Sequence, residues 1–237
     1  MKLVPDGKEM GAKALENPNY LDNKLIAQPA AALQLVAKEV MYCAKIVDEM
    51  IGKLQSGNGK IDKENAGIVE EKAKILQKLY ASINDYFAAL YSGGVLTEEQ
   101  ASQSAGMQSI LCDIDRIGQL TREIMETVAK QKYSKEALKE LKKAMEQIQM
   151  IYGSCIRAIS GNVDMDIKEL MRQKEDIMQL DEKMRKNHIA RVGKGKCDSK
   201  LPFNDVLHNI DRIGNSCVNL VEVAKENVTM QAFFAED

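Results

Sequence analysis

Residues 203–226, FNDVLHNIDRIGNSCVNLVEVAKE, decide how this chain folds. Val206, Ile210, Ile213, Cys217, Leu220 and Ala224 recur at steps of three and four, so they lie along one stripe of an α-helix. Asn204, His208, Asp211, Asn215 and Glu222 fall on a second, polar stripe interrupted by Val218. An earlier stretch, ILCDIDRIGQLTREIMETVA at 110–129, repeats the element. Ile-Asp-Arg-Ile-Gly stands at 114–118 and again at 210–214, 96 residues later. Five identical residues at corresponding places of two amphipathic helices point to an internal duplication.

Outward from this element the same periodicity continues. Leu33, Val36, Val40, Cys43, Val47, Met50 and Leu54 form a seam over a helix expected at about 29–54, with Pro29 in its first turn. A second helix is expected from the N-cap Asp62, with Leu76, Leu79, Ile83, Tyr86 and Leu90 buried, and with Gly93 and Gly94 as its stop. Thr97 and Gln100 read as a capping box that opens the third helix, which carries Met107, Ile110, Ile114, Ile117, Ile124 and Val128. Ser134 caps a fourth helix bearing Leu138, Leu141, Met145, Ile148, Tyr152, Cys155 and Ile159. A fifth, with a more polar seam, is expected from about 164 to 191, and the sixth from about 203 to 234. The expected fold is therefore all-α: an extended lead-in over 1–28, then two similar antiparallel three-helix bundles over 29–131 and 132–237.

Composition agrees and excludes several classes. There are no tryptophans and only four prolines in 237 residues, while residues with little to lose in a helix abound. Thirty-three basic and 35 acidic residues are interspersed, which leaves no basic face for nucleic acid. No apolar run reaches the ~18 residues of a membrane span, and the first residues lack the apolar core of a signal peptide. Five widely spaced cysteines without a CxxC pair read as reduced thiols.

Candidate chemistry is sparse. Asp115, Gln119, Arg122 and Glu126 share one face of the third helix, as Asp211, Asn215 and Glu222 do in the sixth. Inward carboxylates on facing helices are how bundles hold metals, but a solvated polar face produces the same spacing. His188 and His208 are the only histidines, and both read first as surface or packing residues. No nucleophile has an identifiable base partner. The Gly-Lys-Gly-Lys run at 193–196 could attract phosphate but lacks the strand and the Ser or Thr of a P-loop. Thirteen methionines read mainly as core filler. No catalytic residue is expected.

The C-terminal element resembles the hallmark helix of the PhoU family, with Asp211 at the opening acid of that family's metal motif and Asn219 and Glu222 at two later positions. Its copy matches at Asp115, Arg116, Ile117, Gly118 and Glu126. NYLDNKLIAQPAAALQLVAKEV (19–40) and KMRKNHIARVGKGKC (183–197) are similar to the cytoplasmic PhoU-like domain of bacterial sodium/phosphate cotransporters. The resemblance implies a non-catalytic regulatory or interaction module of phosphate uptake. Its partner would be the membrane domain of a phosphate transporter in the same or another chain, with a homodimer as an option and no nucleic acid. It also implies a cytoplasmic location, tethered where a transporter domain precedes.

PhoU proteins that bind multinuclear iron or zinc do so through four paired-acid motifs, on the second, third, fifth and sixth helices. Here the closing acids are replaced by Gln77, Gln119, Met178 and Asn215, and Ala73 and Lys174 stand at two opening ones. Only Asp115 and Asp211 remain, so no cofactor and no cluster are expected. A single weakly held ion on Asp211, His208 or Glu222 is the residual option, with Asp115 and Glu126 as further candidate ligands. The alternative reading, a carboxylate-bridged metalloprotein or enzyme, would need Glu-x-x-His pairs and inward glutamates that the sequence does not supply. A third, a purely structural coiled-coil adaptor, does not call for six capped helices.

Overall fold

Local signals at two helix starts satisfy the free N–H groups of a first turn. The structure, a computed structural model, describes residues 17–55, 63–94, 96–130, 133–160, 167–194 and 201–226. Within these lie α1 (Pro29–Gln55), α2 (Lys63–Ser92), α3 (Glu98–Lys130), α4 (Lys135–Ile159), α5 (Ile167–Gly193) and α6 (Leu201–Glu226). Ahead of α3 the Thr97 N–H donates to Gln100 Oε1 at 3.0 Å while Gln100 N–H donates to Thr97 Oγ1 at 3.2 Å, a complete capping box. Ser134 Oγ accepts from Ala137 N at 3.2 Å and starts α4. Beyond α2, Gly94 takes φ +63°, the left-handed conformation that lets a chain leave a helix.

Three expected boundaries, Asp62, Asp164 and Phe234, lie outside the described residues. The sixth helix begins earlier than expected, at Leu201, because Pro202 is tolerated in a first turn. The described part of the lead-in is not fully extended. Asn23–Leu25 form a 3-10 turn, capped by Asp22, whose side chain accepts from Lys24 N at 2.9 Å.

Residues of every expected seam are buried, Leu33, Val40, Ile148 and Ile213 among them. Leu138 is the exception and is only half-buried. α1, α2 and α3 pack on one another, and α4, α5 and α6 do the same. The two triads meet along α3 with α6, the broadest contact in the fold, and along α1 with α4. Their buried side chains form one continuous core.

Polar ties across these contacts give their direction. Glu70 faces Arg122 and Asn84 faces Gln108, so α2 and α3 run antiparallel. Asn209 Nδ2 donates to Glu123 Oε2 at 3.0 Å, and the Asp113 carboxylate faces Ser216 and Asn219, which favour its charged form. α3 and α6 are therefore antiparallel as well. The two ties are also counterparts: the 96-residue offset carries Asp113 onto Asn209 and Glu123 onto Asn219.

Candidate functional site

The repeated Ile-Asp-Arg-Ile-Gly elements take corresponding places in the two triads. Gly118 faces α2 and α1, where a Cβ would overlap Leu76 Cδ2 of the one and come within 3.2 Å of Val47 Cγ2 of the other. Gly214 faces α5, where a Cβ would meet Ile177 Cγ2 at 3.9 Å. Leu76 precedes Gln77 and Ile177 precedes Met178, the two positions paired by sequence. Asp115 and Asp211, three residues before each glycine, are thus equivalent. At the first glycine the Leu76 side chain occupies the place a Cβ would take, and at the second there is room for one.

Because α3 comes so near α2 at Gly118, the polar residues flanking the contact enclose a cleft of about 300 Å³. Asp115, Gln119 and Arg122 line it from α3, and Glu70, Lys74 and Gln77 from α2. Asp115 is half-buried, and burial pushes its carboxyl above the usual range, an effect that the hydrogen bond from Gln119 partly offsets. Gln119 Nε2 donates to Asp115 Oδ2 at 2.5 Å. Glu70 lies 3.6 Å from Arg122 and 3.5 Å from Lys74, long and partly exposed ion pairs that contribute little to stability. The cleft thus holds two carboxylates, two cations and two amides.

As a donor set this does not fit a bridged multinuclear centre. Such a centre needs several anionic oxygens directed at the cations, and amides supply neutral ones. One carboxylate here is engaged by an amide and the other by two basic groups.

The equivalent place in the second triad has a different character. Asn215 Nδ2 donates to Asp211 Oδ2 at 3.3 Å, repeating the Gln119–Asp115 bond. Met178 is 46% exposed and Met171 47% exposed on α5, where the first triad has Gln77 and Glu70. Val218, buried, replaces Arg122. The duplicated site has diverged: Glu70, Gln77 and Arg122 of the first give way to Met171, Met178 and a buried Val218 in the second.

The other sequence candidates are scattered. Glu126 is exposed, and its bond to Lys130 holds its carboxyl below the usual range. His208 and Glu222 are exposed on α6. Among the described residues, no three of the histidines, cysteines, aspartates and glutamates come together as a metal site. His188 is buried and stacked on Phe203 at 4.5 Å, with the Arg191 guanidinium 5.4 Å from the same ring. Its role is packing. Glu70 and Lys74 went unread in the sequence, although with Gln77 they share one face of α2 at helical spacing.

Among the described residues, no helix is long and apolar enough to cross a membrane. Neither a protein-family model nor a curated protein matches the sequence. In structure the chain is similar to PhoU from Pseudomonas aeruginosa, with a TM-score of 0.71 over 81% of this chain and 95% of that one, at 13% sequence identity. Its fold is PhoU-like.

Proposed function

We propose that this chain is a non-catalytic regulatory module of phosphate uptake. It acts by docking on the cytoplasmic side of the membrane domain of a phosphate transporter, in the same or another chain. One observation carries the reading: the Asp-Arg-Ile-Gly elements that resemble the PhoU hallmark stand at equivalent packing positions of a PhoU-like fold. Similarity of the lead-in at 19–40 to the cotransporter-associated domain supplies the link to a transporter. Supporting the non-catalytic part, the charged cleft pairs its acids with amides and basic groups. The same replacements argue that no bridged iron or zinc cluster forms.

The test is uptake of radiolabelled phosphate by cells lacking this protein, before and after phosphate starvation, with co-purification of the tagged chain alongside the transporter's membrane domain. Altered control of uptake, restored by the wild-type chain, together with co-purification, is the expected result. Unchanged uptake and no co-purification would refute the reading.

A further inference from the structure

We propose that residues 17–28 form a strap that docks on and lifts off the α1–α2 face as a unit, with Glu39 as its latch. Glu39 belongs to α1 and is fully buried. Its Oε2 accepts the Tyr20 N–H at 2.8 Å, and the N–H groups of Asn19 and Leu21 add to the attraction. Oε1 is buried as well and has no hydrogen-bond partner. No basic side chain among the described residues pairs with this carboxylate.

A lone buried carboxylate is an expensive anchor. Burial penalises its charged form more than the backbone bonds favour that form, and its carboxyl is accordingly raised. Lifting the strap gives the charge back to water, so opening recovers part of what the broken bonds cost. Most buried anchors are cheaper to keep closed.

The remaining ties are few. Tyr86 Oη donates to the Asp22 carbonyl at 2.8 Å, and Leu21 and Ile26 pack only partly against the core. Beside these ties a groove of about 870 Å³ separates the strap from α2, lined among others by Leu21, Ser82, Asp85 and Ala89. The strap has its own internal bonds, Leu25 N–H to Asp22 O at 3.0 Å and Gln28 N–H to Leu25 O at 2.8 Å. It can therefore move without losing its shape, turning where it enters α1. Few buried contacts and a self-contained hydrogen-bond set are what a locally opening unit requires. The inference stands apart from the functional reading above.

Amide hydrogen exchange on the full chain tests it, comparing wild type with Glu39→Ala and Tyr86→Phe. In wild type the Tyr20 amide, whose bond to Glu39 lifting breaks, should exchange at least about tenfold faster than the buried amides of α1. Glu39→Ala removes a charged acceptor and should speed Tyr20 exchange on the order of tenfold to a hundredfold. Tyr86→Phe removes one neutral bond and should speed the strap about two- to tenfold while leaving the exchange of α1–α6 unchanged. Tryptic cleavage after the exposed Lys24 should accelerate in both variants. Should Glu39→Ala unfold the whole chain, Tyr86→Phe alone decides. A Tyr20 amide that exchanges only at the rate of α1, or a Tyr86→Phe strap as protected as wild type, would overturn the proposal.

Discussion

Consider alanine at the two glycines of the repeated element. At Gly118 the new methyl group would overlap Leu76 Cδ2 and crowd Val47, both buried side chains of the core. Overpacking of this kind costs ~1–3 kcal/mol. Alanine returns ~0.5–1 kcal/mol through its better helix propensity, so Gly118→Ala should be destabilising by about 1 kcal/mol. At Gly214 the methyl group would meet Ile177 at 3.9 Å, ordinary contact. There the propensity gain stands alone, and Gly214→Ala should stabilise by ~0.5–1 kcal/mol. The same substitution in the same pentapeptide thus has opposite signs, with a gap of about 1–3 kcal/mol. Urea denaturation of both variants measures it, and in thermal melts each kcal/mol should appear as roughly 2–4 °C. A double variant adds a sharper check: Leu76→Ala should cost less in the Gly118→Ala background than alone, since it removes the clash there and the new methyl group fills part of the space it leaves. Equal effects of the two glycine substitutions, or additive behaviour of the double variant, would refute the account of why Gly118 is a glycine.

Asp115 gives a pH-dependent outcome. Burial raises its carboxyl in the folded state, so the folded chain holds this proton more tightly than the unfolded one, and the penalty for ionising it grows as pH rises from the unfolded value through the folded one. Asp115→Asn, which keeps an oxygen for Gln119, should be more stable than wild type at about pH 7 and lose that advantage towards about pH 4; an advantage that grows on acidification would contradict the sign. In the core, Leu33→Ala, Ile148→Ala and Ile213→Ala should each cost ~2–5 kcal/mol by urea denaturation, and losses below ~1 kcal/mol at all three would mean that these seams are not the core. Elemental analysis of protein purified without chelator should find fewer than two iron or zinc atoms per chain, and two or more would overturn the donor-set argument.

The fold was legible because its helices are amphipathic and end in local signals that need no tertiary context. The three-and-four spacing named the buried side of α2, α3 and α6, and Thr97, Gln100 and Ser134 named helix starts. α1 was harder, because it touches α2, α3, α4 and the lead-in. A helix covered on several sides buries residues outside its main stripe, and Glu39 is one of them. Periodicity cannot reveal that a short segment will lie across a glutamate. The site was half legible for a related reason. Asp115, Gln77, Gln119 and Arg122 could be read from the α3 stripe and the family resemblance. Glu70 and Lys74 became part of the cleft only once α2 was laid antiparallel along α3.

The crossed acid–amide ties between α3 and α6 also govern which halves can pair. Were two copies of the first triad to meet as the two triads of one chain do, Asp113 would face Glu123 of the other copy, twice over. Across α1 and α4 the same holds: Asp48 accepts from Gln149 at 2.5 Å, and these two stand 101 residues apart, the spacing that also relates Gln77 to Met178. Two first triads would bring Asp48 against Asp48. Like charges in partly buried places oppose such a pairing, whereas the native arrangement sets Asp48, Asp113 and Glu123 against amides. Divergence of the repeat has thus made the first half a specific mate for the second and a poor mate for itself.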